Sequence, residues 1–182
     1  MSNSLKLLFL DPDGICNYGV PWPNGYPRFD QPVAYGVLNT ILRKVPDAQI
    51  VLTGQWRNLF PDVTSIESVL SIHGVNAQGR VHGMVNTDKS VHRPSEDGGA
   101  WHEGFEGLPQ YTPRLIMRYI DRYKPYSFAV LDSHKIEVPM LVAVHPGAIT
   151  STNANKAVKL LKQQALSVTF RVTGAQTGRS PS

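Results

Sequence analysis

Apolar positions along this chain fall into two arrangements, and each predicts a kind of element. Leu5 to Leu10 (Leu-Lys-Leu-Leu-Phe-Leu) is a short apolar run that stops at Asp11-Pro12-Asp13-Gly14, as a buried strand does at a turn. Ala48–Thr53, Ser127–Asp132 and Met140–His145 repeat that pattern, and Gly79–Val85 offers a further short strand. Between these runs the apolar spacing changes to that of a helix. Val33, Val37, Leu38, Ile41, Leu42 and Val45 form one stripe, which predicts a helix stopped by Pro46-Asp47. Val63, Ile66, Val69, Leu70 and Ile72 predict a second helix, closed by Gly74. Leu115, Ile116, Tyr119 and Ile120 predict a third over Pro113–Arg122, and Ala157, Val158, Leu160 and Leu161 a last one over Thr152–Gln164.

The strands are continuous apolar runs, and helices separate them. Both features predict an α/β fold, a Rossmann-like three-layer sandwich with a mainly parallel sheet covered on both faces. Asn17 to Pro32, rich in proline and glycine, reads as a structured loop. Asn76 to Gln110 lacks sustained periodicity and reads as a long loop of the functional kind. One loop and one helix separate the first two strands, too little for a lid domain, so a minimal cap is expected, with the 76–110 loop as cover. Residues 1–174 are read as a single domain and 175–182 as a flexible tail.

Composition narrows the setting. The chain has 182 residues, 41% of them apolar, which suits one domain with a real core. No run of about 18 apolar residues occurs, so no membrane-spanning helix is expected. The first ten residues fall short of a signal peptide, and the single cysteine, Cys16, excludes an internal disulfide, so a cytoplasmic location is expected. The net charge of +4 favours phosphate-bearing partners, but the basic residues are scattered and form no nucleic-acid arm. No pair among the six histidines has the spacing of a helical zinc site. His134, just beyond Asp132, is placed to tune a metal site. Trp22, Trp56 and Trp101 serve either as packing residues or as platforms for a base.

The chemistry concentrates at strand ends. In a parallel α/β sheet the ligand site lies beyond the carboxyl ends of the strands, where Asp11, Thr53 and Asp132 all stand. A carboxylate such as Asp11 can attack a phosphoryl group. Asp13, two residues on, can protonate the leaving oxygen and then activate water. Nucleophile and substrate are both anionic, so a cation between them is expected, and Mg²⁺ suits a few carboxylates plus substrate oxygens. Asp11, Asp13 and Asp132 are its expected ligands. Thr53 and Gly54 offer a hydroxyl and backbone N–H groups to the phosphate. Arg57 pairs either with substrate phosphate or with a carboxylate that fixes the loop.

These residues carry a resemblance. Leu8-Phe9-Leu10-Asp11-Pro12-Asp13-Gly14-Ile15 resembles the first motif of the haloacid dehalogenase (HAD)-like superfamily, and Ile50-Val51-Leu52-Thr53-Gly54-Gln55-Trp56-Arg57 its second. The Trp56-Arg57 pair is similar to the HAD domain of RNA repair proteins and related stand-alone proteins. Ala129-Val130-Leu131-Asp132-Ser133 resembles the acidic fourth motif, and Gly147-Ala148-Ile149-Thr150 the subgroup's Gly-Leu-Thr turn. The resemblance runs from about Leu5 to about Leu161. It implies Asp11 and Asp13 as catalytic residues, phosphate contact through Thr53, and Mg²⁺ on Asp132. The chain departs from the subgroup in four places, one of them the helix before the third clear strand, where Leu115 or Ile116 stands in place of the subgroup's Glu. Pro12 removes a backbone donor beside the phosphate turn. Ser133 stands where a second acid is usual. The basic third motif has no clean counterpart, Arg114 being best placed with Lys89 and Arg93 as rivals. The expected activity is hydrolysis of a phosphate monoester, on a phosphorylated small molecule or a nucleic-acid end. The alternatives are a catalytically weakened binding or accessory protein that keeps the fold, and a phosphotransferase.

Overall fold

A computed structural model describes residues 5–12, 15–16, 32–54, 60–85, 108–134, 136–145 and 149–163. The readings for Asp13, Arg57, Lys89, Arg93, the three tryptophans, most of both loops and the 175–182 tail fall outside the described residues.

The elements run β1 (Lys6–Leu10), α1 (Pro32–Lys44), β2 (Ala48–Leu52), α2 (Val63–Ile72), β3 (Val81–Met84), α3 (Leu108–Tyr123), β4 (Ser127–Asp132), β5 (Leu141–Ala143) and α4 (Ser151–Lys162). The strands form one five-stranded sheet in the order β3-β2-β1-β4-β5, with every neighbouring pair parallel. Side chains alternate across it. Leu8, Leu10, Ile50, Leu52, Ala129 and Leu131 face the larger core, built with α1, α2 and α4. Leu7, Phe9, Val51, Phe128 and Val130 face a smaller core beneath α3. The result is a three-layer α/β sandwich with apolar cores on both sides, as the continuous apolar runs predicted.

Chain order places the site. From β1 the chain adds β2 and β3 on one side, then returns to add β4 and β5 on the other. The reversal of strand order occurs at β1, and crevices in such sheets open at that point, at the strands' carboxyl ends. Register then aligns the strands that flank it. Leu10 lies opposite both Leu52 and Leu131, so Asp11, Thr53 and Asp132 follow as one row across three adjacent strands.

Several boundaries differ from those expected. α3 begins at Leu108, so Pro113 lies inside it and not at its start. Pro109 occupies the first turn, where a missing N–H costs nothing, whereas Pro113 removes one internal helical bond. β5 is shorter than the expected Met140–His145 run. Thr150 caps α4 by accepting from the Asn153 backbone N–H, while the Asn153 side chain accepts from the Thr150 N–H. β3 is an irregular edge strand, whose register jumps so that Val81 opposes Ile50 and Gly83 opposes Val51. The extra residue, His82, lies on the same side as Gly83, and its Nδ1 is 2.7 Å from the Tyr119 hydroxyl on α3. A Cβ on Gly83 would stand 2.6 Å from that hydroxyl, so the close approach of α3 requires glycine there.

Candidate functional site

Asp11 follows β1 directly, and its backbone N–H donates to the Leu131 carbonyl at 3.1 Å. Pro12 then starts a tight turn in which its carbonyl accepts from the N–H groups of Ile15 and Cys16, at 3.2 and 2.8 Å. Ile15 and Cys16 are fully buried in the larger core. Buried apolar side chains thus hold the turn down, and the fixed φ of Pro12 suits its first position.

The Thr53 N–H donates to the Leu10 carbonyl at 2.9 Å, placing residue 53 beside Asp11. Alternation from Leu10, Leu52 and Leu131, which face the larger core, turns Asp11, Thr53 and Asp132 toward the α3 side. All three are buried, Thr53 completely. The Thr53 Oγ1 has no hydrogen-bond partner among the described residues. A buried hydroxyl without a partner is costly, which marks it as a group awaiting a ligand oxygen.

Gly54 completes the wall around the carboxylate. Its φ is +64°, and a Cβ there would meet both Asp11 oxygens, standing 2.6 Å from Cγ and 2.8 Å from Oδ2. Only glycine combines that backbone conformation with such a close approach.

Asp132 closes the other side. Its Oδ1 accepts from the His134 backbone N–H at 2.7 Å, an Asx turn made possible by the two-residue spacing. The turn carries the His134 ring back over the site. Its Nδ1 lies 3.1 Å from Asp132 Oδ1 and 3.9 Å from Asp11 Oδ2. One ligand atom from each of Asp11, Asp132 and His134 falls within 4.8 Å of the others. The His134 side chain is 57% exposed, so it forms the solvent side of this group.

The structure therefore gathers Asp11, Thr53, Gly54 and Asp132, all read from the sequence, and adds His134. The sequence reading gave His134 only a tuning role, although its offset of two from a strand-end aspartate was a legible signal. Arg114 is exposed on α3. Asp13 and Arg57 fall outside the described residues.

The donor set fits a divalent cation: two carboxylates at a shared mouth, with an imidazole beside them. The Thr53 hydroxyl, without a partner among the described residues, could donate to a phosphoryl oxygen beside Asp11. Among the described residues no helix is long and apolar enough to cross a membrane.

The model of one family, the HAD domain in Swiss Army Knife RNA repair proteins, matches residues 7–154. No curated protein matches the chain, and no solved structure does.

Proposed function

Since the chain belongs to the family of HAD domains in Swiss Army Knife RNA repair proteins, we propose that it is a Mg²⁺-dependent phosphohydrolase with Asp11 as its nucleophile. Its proposed substrate is a nucleotide or polynucleotide phosphate monoester. The observation that carries this reading is the row Thr53–Asp11–Asp132 at the reversal of strand order, with the Thr53 hydroxyl buried and without a partner among the described residues.

In the proposed reaction an Asp11 carboxylate oxygen attacks phosphorus. A bond forms from that oxygen to phosphorus while the bond to the leaving oxygen breaks, giving an aspartyl phosphate. Asp13 supplies the proton that the leaving oxygen needs. Water then attacks the same phosphorus, Asp13 takes its proton, and Asp11 and inorganic phosphate are released. The Thr53 hydroxyl donates to a phosphoryl oxygen and so gains the partner it lacks. Gly54 lets the Asp11 carboxylate pack against the backbone of residue 54, which holds the nucleophile in place. Bound by Asp11, Asp13 and Asp132, Mg²⁺ supplies the positive charge that lets two anions meet. Arg57 and Arg114 are the proposed further sources of positive charge. One loop and one helix separate β1 from β2, too little sequence for a lid domain there, which suits a substrate as large as a polynucleotide end.

The test is hydrolysis of an aryl phosphate and of 5′- and 3′-phosphorylated oligonucleotides, with Mg²⁺ and with EDTA, alongside Asp11→Asn. Turnover that needs Mg²⁺ and disappears in Asp11→Asn is expected. Turnover that survives either change refutes the mechanism. Phosphate or nucleotide binding without any turnover would instead favour an accessory role, the outcome that Ser133 in place of a second acid makes worth measuring.

A further inference from the structure

The proposed site lacks the second acid expected after Asp132, since Ser133 stands there. We propose that His134 takes its place as a protein ligand to the cation, through Nδ1, giving a mixed carboxylate–imidazole site that accepts Mg²⁺ and holds transition ions more tightly than carboxylates alone would. The inference rests on the reading of this crevice as a metal-dependent phosphoryl site.

Donor spacing is the first argument. A six-coordinate cation with bonds of about 2.1 Å places adjacent ligand atoms about 3.0 Å apart and opposite ones about 4.2 Å apart. Nδ1 lies 3.1 Å from Asp132 Oδ1, the separation of adjacent ligands. It lies 3.9 Å from Asp11 Oδ2, between the two limits, so a small rotation of the exposed ring suffices.

Ring orientation is the second. The Asx turn from the His134 N–H to Asp132 Oδ1, at 2.7 Å, fixes the backbone from which the ring projects. With its proton on Nε2, the imidazole presents a lone pair at Nδ1 toward both carboxylates. The third argument is independent of the cluster. Thr53, fully buried on the same face of the sheet, carries an Oγ1 with no partner among the described residues, as expected of a crevice shaped for a ligand.

Selectivity follows from ligand chemistry. Carboxylate and water suit Mg²⁺, whereas an imidazole nitrogen raises affinity for later divalent ions. Carboxylates alone favour those ions less, so the contribution of His134 is read as the drop in the Mn²⁺-to-Mg²⁺ affinity ratio when it is removed.

The experiment titrates the metal-free full chain with Mn²⁺ and with Mg²⁺ by calorimetry, and records pulsed electron paramagnetic resonance of bound Mn²⁺. The wild type is expected to bind Mn²⁺ more tightly and to show coupling to a ligand ¹⁴N. His134→Ala should lose that coupling and about 10- to 100-fold in Mn²⁺ affinity. His134→Asp should also lose the nitrogen signal while keeping Mg²⁺ binding. The side chain is exposed, and thermal unfolding of both variants checks that they fold. Unchanged coupling and affinity in His134→Ala would overturn the proposal. Hydrolysis measured in parallel separates the two readings. Nitrogen coupling without turnover supports His134 as a ligand and refutes the phosphohydrolase, while turnover without nitrogen coupling does the reverse.

Discussion

Gly54→Ala should impair this protein twice, once in the backbone and once in the site. Residue 54 sits at φ +64°, where an L side chain costs about 1–2 kcal/mol. Its new Cβ would lie 2.6 Å from Asp11 Cγ and 2.8 Å from Oδ2, well inside contact distance. Overpacking of that kind costs about 1–3 kcal/mol if the structure yields only a little. Asp11 is 5% exposed, and its backbone is held by Leu131, so relief must come from rotating the carboxylate. That rotation moves the nucleophile, and a displacement of about 1 Å is worth roughly 100-fold in rate. Gly74→Ala supplies the control. Gly74 has φ +85° but nothing within 4 Å of its would-be Cβ, so only the backbone cost applies. At about 2–4 °C per kcal/mol for a chain of this size, the two variants should differ by roughly 2–12 °C in Tm. Differential scanning calorimetry gives that difference, and aryl phosphate hydrolysis gives the rate. Equal losses of Tm, combined with unimpaired hydrolysis in Gly54→Ala, would refute the contact between Gly54 and Asp11.

Three further outcomes test separate parts of the structure. Thr53→Val removes a buried hydroxyl that has no partner among the described residues, so it should leave the free protein as stable or raise it by up to about 1 kcal/mol; phosphate affinity, read by calorimetry, should fall. Gly83→Ala should cost about 1–3 kcal/mol through its clash with the Tyr119 hydroxyl. Adding Tyr119→Phe should recover part of that loss, and a urea double-mutant cycle with no coupling would refute the contact. Burial pushes the His82 and His73 imidazoles below their ordinary range. The unfolded chain therefore takes up protons first as pH falls through about 6.5, so their contribution is complete above that value and is lost toward the lower folded pKa. Tm should fall between about pH 7 and 5, and less steeply in a His82→Gln, His73→Gln variant.

Much of the fold was legible without tertiary information. The apolar runs at 7–10, 50–52 and 128–131 are buried on both faces, so they carry no alternation and announce a covered parallel sheet. The stripes of α1, α2 and α4 were legible because each helix buries one side, although Val33 and Ile72, at the ends of α1 and α2, are exposed. Asp11, Thr53 and Asp132 were visible as polar residues where three such runs stop, a local signal that needs no knowledge of strand order. The start of α3 was not legible, because Pro109 and Pro113 both look like helix starts and only the packed helix distinguishes them.

Sequence by itself thus determined the layers, the site's location and three of its polar groups, since burial pattern and strand termini are written in local order. Tertiary structure decided what those groups can do together. It set the sheet order that makes β1 the point of reversal, and the register that lines Thr53, Asp11 and Asp132 into one row. It also brought Gly54 against Asp11 and carried the His134 ring to both carboxylates. Those contacts join segments far apart in the chain, and their distances depend on how neighbouring strands pair and turns close, which no local pattern of residues encodes.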